Sequence, residues 1–84
     1  MGYRRDLDVT LIYKPGGGSQ RRVFGPFRTT VDADDNGALG RLLQQIARRE
    51  NPRRAAGSHL ADYVLELRKP DHAPLWRSFS TGAR

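Results

Sequence analysis

Apolar residues recur along this chain with two different periods, and the switch between them constrains the fold more than any other feature. In LDVTLIY (7–13) they alternate. Leu7, Val9, Leu11 and Tyr13 share one side and Asp8, Thr10 and Ile12 the other, as in a half-buried β-strand. KPGGGSQ then breaks the run, and RRVFGPFRTTV (21–31) resumes it with Val23, Phe27, Thr29 and Val31 in phase. Gly25-Pro26 interrupts that phase. Proline has no N–H to give a ladder, so the second strand is expected at a sheet edge or with a bulge there. The two runs form a hairpin around a long glycine loop.

The period changes over 35–50. Leu39, Leu42, Leu43, Ile46 and Ala47 are spaced three and four apart, while Arg41, Gln44, Gln45, Arg48 and Arg49 occupy the opposite face of a helix. Asn51-Pro52 stops it, and PRRAAGSH follows as a loop or a short helical turn ended by Gly57. Alternation returns in LADYVLELRK (60–69), with Tyr63, Leu65 and Leu67 against Asp62, Val64, Glu66 and Arg68. After a PDHAP turn, LWRSFS (75–80) is the last strand.

The expected architecture is α+β: a single small domain over 1–84, with an ordered core from about 6 to 80 and mobile ends and 15–20 loop. It is a ββαββ two-layer sandwich, one helix packed on a mostly antiparallel four-stranded sheet. That order of elements resembles a β-grasp domain of the ubiquitin-like family. The resemblance implies a fold and no function; the chain ends in Gly82-Ala83-Arg84 rather than Gly-Gly, so it implies no conjugation role.

DADDNG (32–37) starts as an EF-hand calcium loop does, with Asp32, Asp34 and Asn36 at its first three ligand positions and Gly37 after them. The position that must hold a bidentate Glu is Leu43, and a strand rather than a helix leads in. Helix capping accounts for the same letters: Asp34, Asp35 or Asn36 satisfies free N–H groups at the helix start, and Arg48 and Arg49 complement the dipole at its end. No metal or cofactor is expected.

Charge carries the functional expectation. Fifteen Lys+Arg against nine Asp+Glu give +6, and thirteen of the fifteen are Arg. Arg forks grip phosphate and carboxylate, so the surface suits nucleic acid or an acidic protein; GC-rich coding would produce the same bias with no function attached. The candidate nucleic-acid residues are Lys14, Arg21 and Arg22 around the glycine loop, Arg41, Gln45, Arg48 and Arg49 on the helix, and Arg53 and Arg54 beyond it. Trp76 and Arg77 complete the set. The glycines lead into a strand, unlike a phosphate loop, which opens a helix. Trp76 either anchors the core or, with Phe24 on the open side of the sheet, offers a stacking platform ringed by Arg68, Lys69 and Arg77. Strand parity leaves both open, because turning Leu75 and Phe79 inward also turns Arg77 inward. Exposed Ile12 and Val64 would extend an apolar patch for a protein partner or a homodimer.

Catalysis is poorly supplied. The only histidines, His59 and His72, are flanked by loop residues, Ser58-His59 lacks a nucleophile elbow, and with no cysteine the pair makes no zinc site. Asp62 and Glu66 on the third strand are expected to pair with arginines across strands. The chain is expected to be a non-enzyme. It lacks the apolar run of a signal peptide or a membrane span, and Asp6 stands where myristoylation wants Ser or Thr, so a cytoplasmic location without membrane association is expected. The favoured function is a small basic nucleic-acid-binding module; the alternative is an interaction or self-associating domain using the open sheet face or an edge strand.

Overall fold

A computed structural model describes residues 4–55, 60–71 and 74–81; the readings on Gly57, Ser58, His59 and His72 lie outside them. The elements are β1 (Arg5–Tyr13), β2 (Arg22–Val31), α1 (Asn36–Glu50), a four-residue α2 (Pro52–Ala55), β3 (Tyr63–Arg68) and β4 (Leu75–Phe79), with short 3-10 turns at Pro15–Gly17 and Leu60–Asp62. The expected ββαββ order and two-layer packing hold. The sheet runs β2-β1-β3-β4 with every neighbouring pair antiparallel.

One sheet face and one helix stripe make the core. Leu7, Val9 and Leu11 of β1 and Tyr63, Leu65 and Leu67 of β3 are fully buried beneath Leu39, Leu43, Ile46 and Ala47 of α1. Both runs alternate because the two central strands are covered on one side only. The capping expectation resolves onto one residue: the Asp35 side chain accepts from the Ala38 N–H at 3.1 Å. Asp32 closes the turn before it by accepting from the Asp34 N–H at 2.9 Å. At the far end the Asn51 N–H caps the Ala47 carbonyl, and its buried side chain donates from Nδ2 to the Tyr63 hydroxyl at 3.0 Å.

β2 is both an edge and bulged. Phe27 faces Val9 and Phe24 faces Leu11, so three steps on β2 match two on β1. Gly25 has φ of 112°, and a Cβ there would lie 2.9 Å from the Val9 carbonyl oxygen. One extra residue reverses parity. Phe24 therefore turns to the helix side, whereas Val23, expected in phase with Phe27, opposes Ile12 on the open face and is 57% exposed.

The open face is mostly self-neutralised. Arg28 pairs with Asp8 at 2.7 Å, which raises its guanidinium pKa above the ordinary arginine value, and Thr30 donates to Asp6 at 2.6 Å. Glu66 accepts from Arg68 two residues along its own strand at 3.3 Å, rather than from an arginine across strands, and Asp62 accepts the Gly16 N–H instead of an arginine. Ile12, which would extend an apolar patch if exposed, is only 7% exposed, beside its cross-strand neighbours Val23 and Val64.

Candidate nucleic-acid interface

The path of the chain sorts the charges by end. β2 ends at Val31 beside Arg5, and α1 starts there under the carboxylates of Asp32, Asp34 and Asp35. The helix then runs back to the other end of the sheet, where Asn51 meets Tyr63 and Tyr63 opposes Tyr13. That second end gathers seven cations, Lys14, Arg21 and Arg22 from the hairpin tip, Arg48 and Arg49 from the last turn of α1, and Arg53 and Arg54 on α2, against the carboxylates of Glu50 and Asp62. Cations suit the C-terminal end of a helix, whose free carbonyls carry partial negative charge.

The hairpin tip is anchored there. The Lys14 N–H donates to the Asp62 carbonyl at 2.8 Å and the Gly16 N–H to the Asp62 carboxylate at 3.3 Å. This fastens the start of the glycine loop, a 3-10 turn, to the start of β3. Arg21, Arg22 and Arg54 then line one concavity of about 560 Å³ with Tyr13, Pro15 and Gln20. Arg22 lies over the Phe24 ring, 5.1 Å from its centroid. Among the described residues none of Arg21, Arg22, Arg53 and Arg54 is ion-paired with a carboxylate, whereas Asp8 and Glu66 occupy the arginines of the open face.

The helix stripe divides. Gln45 and Arg49, four apart, border a groove of about 580 Å³ between α1 and β2, with Phe27, Leu42 and Ile46 in its lining. Arg49 stacks 4.7 Å from the Phe27 centroid and pairs with Glu50 at 2.9 Å. Arg41 borders a smaller depression of about 250 Å³ beside Arg4, Thr30, Asp32 and Asp35. Arg48 is exposed and lines neither, whereas 41, 45 and 49 border the depressions beside β2.

Trp76 and Arg77 sit at the other end of the molecule. Trp76 is the extra residue of a bulge in β4 and is 41% exposed, which answers the open question against a core anchor. It does not share the open face with Phe24. The Arg5 guanidinium lies 4.8 Å and the Lys69 ammonium 5.3 Å from the Trp76 ring centroid, so cations already occupy the ring. Arg77 does turn inward, opposite Leu67, and there it donates to the Ala33 carbonyl and, at 2.6 Å, to the Asn36 side chain. The inward charge is thus satisfied by the loop that starts α1, away from the basic end.

Tyr13 and Gln20 are members of the concavity that sequence reasoning passed over. Tyr13 counted only as a core position because it is in phase with Leu11. Its place at the last step of β1, next to a basic loop, was the available signal. Among the described residues no group of three or more potential metal-ligating side chains occurs, and no helix is long and apolar enough to cross a membrane. Compared with known proteins, the chain matches no family model, no curated protein and no solved structure.

Proposed function

We propose that this chain is a small basic module that binds nucleic acid through arginine–phosphate contacts at the end formed by the hairpin tip and α2. The observation that supports this reading is the meeting of Arg21 and Arg22 with Arg54, more than thirty residues on, around one concavity without a described carboxylate partner. Unpaired guanidinium forks held side by side are what a phosphate backbone binds. Arg53 is the chain neighbour of Arg54 on α2, and Arg49, paired with Glu50, borders the α1–β2 groove. The proposed role is binding alone.

The test is titration of a dye-labelled single-stranded and a double-stranded oligonucleotide at ~50 and ~200 mM salt. For about four phosphate contacts, affinity is expected to fall roughly 50- to 150-fold across that range. Arg22→Glu combined with Arg54→Glu is expected to weaken binding to every sequence alike. Absence of binding at the lower salt rejects the proposal.

A second reading has its own observation. Leu75 and Trp76 are exposed side by side on edge strand β4. If that edge takes a protein, Trp76→Ala should abolish capture without unfolding the chain, since the ring is only partly buried.

A further inference from the structure

The concavity at the hairpin tip has more specific chemistry than a basic surface. Arg21, Arg22 and Arg54 approach it from two segments, and Gln20 adds an amide to the rim. Tyr13 contributes a phenol to the wall; the residue is 6% exposed and its ring packs 4.8 Å from that of Tyr63. The stacked Phe24 ring restricts Arg22, so one guanidinium is already placed before any ligand arrives.

We infer that this pocket binds a phosphomonoester dianion: the terminal phosphate of a strand, or that of a free nucleoside monophosphate. A phosphomonoester carries about −1.5 to −2 at pH 7 with three free acceptor oxygens, against one charge and two free oxygens on an internal phosphodiester. Three guanidinium forks and a phenol offer more donors than a diester can use and match the monoester. At about 560 Å³ the concavity also exceeds a phosphate group. It falls within the size of small-ligand sites, roughly 300–1,000 Å³, which leaves room for the attached sugar. Strand ends as the source of the phosphate rest on the nucleic-acid reading; the phosphate chemistry of the pocket does not.

The experiment compares one oligonucleotide carrying a 5′-phosphate, a 3′-phosphate or neither, with nucleoside monophosphate and inorganic phosphate as separate probes. Affinities are read by anisotropy at ~50 mM salt, and the amide resonances of Gln20, Arg21 and Arg22 by NMR. A phosphorylated end is expected to tighten binding roughly tenfold, the size of one added charge-assisted hydrogen bond. Arg54→Ala should erase that preference, whereas Arg28→Ala on the open face should keep it. Equal affinity for all three strands, with the probes leaving those resonances unmoved, overturns the inference and leaves the nucleic-acid reading standing. Nucleoside monophosphate shifting the three resonances while no strand binds supports the pocket and overturns strand binding instead. Resonances that stay fixed under every probe, with no strand binding, overturn both.

Discussion

Asn51 shows how much one side chain can hold. It ends α1, its N–H caps the Ala47 carbonyl, and its amide satisfies the hydroxyl of fully buried Tyr63. Asn51→Leu would leave that hydroxyl without a partner in an apolar interior, and is expected to cost about 1–3 kcal/mol. Denaturant unfolding of Asn51→Leu, Tyr63→Phe and the double variant gives the coupling directly. A coupling energy of zero would mean that the bond contributes nothing to stability. Nothing in Asn51-Pro52 announces this role; the dipeptide marks a helix end, and its partner is chosen by the packing of a strand twelve residues on. Asp35 differs, since its bond to Ala38 lies within its own turn and was legible beforehand as one of three candidates. Arg77 belongs with Asn51. Strand parity in the letters leaves its direction open, and its acceptors, the Ala33 carbonyl and Asn36, come from a segment more than forty residues away.

At the scale of elements, the bulge in β2 decides which side chains reach the helix. Gly25 allows it by taking a φ of 112° with its Cα pressed toward the Val9 carbonyl. Gly25→Ala places a methyl 2.9 Å from that oxygen and against the Phe27 ring, in a region L-residues avoid. It is expected to lower stability by about 1–3 kcal/mol, seen as a reduced urea midpoint at an unchanged m-value. An unaltered midpoint would show that the bulge relaxes freely. The same element explains a displaced expectation: reading β2 as one uninterrupted alternation put Val23 inward and left Phe24 outward. A bulge moves the phase by one, and Gly25-Pro26 signals where the break falls but not how many residues it absorbs. β1, α1 and β3 have no such break, and their buried positions follow the pattern directly.

At the scale of the molecule, Asp32, Asp34 and Asp35 stand at the start of α1, while Arg48, Arg53 and Arg54 stand at and beyond its end without a carboxylate partner among the described residues, beside an Arg49 that pairs with Glu50. In the proposed role, such an asymmetry orients an approaching polyanion before contact. Under the proposed function, single Arg→Ala changes at Arg21, Arg22 or Arg54 should each reduce the salt slope of strand binding by about one unit. Arg28→Ala should not, because its guanidinium is held by Asp8 on the opposite face. Salt slopes identical for all four variants would place the interface elsewhere. The candidate residues follow in the sequence from charge, from the helix face that carries Gln45, and from the stacking capacity of Trp76. Their division, with Arg21, Arg22 and Arg54 on one concavity, Gln45 and Arg49 on the α1–β2 groove, and Arg41, Trp76 and Arg77 toward the other end, depends on which end of the sheet each segment returns to.

Hydrophobic period and turn chemistry encode the order of the elements, the buried faces of β1, α1 and β3, a cap among Asp34, Asp35 and Asn36 and the interruption of β2. Those are properties of neighbours within a few residues, and local sterics and side-chain alternation suffice to set them. Tertiary structure alone decided the strand order β2-β1-β3-β4, the partners of Asn51 and Arg77, and the meeting of the hairpin-tip arginines with Arg54 around Tyr13. Each of these joins segments far apart in the chain, and such contacts follow from how the amphipathic elements share one core, which no single stretch of sequence specifies.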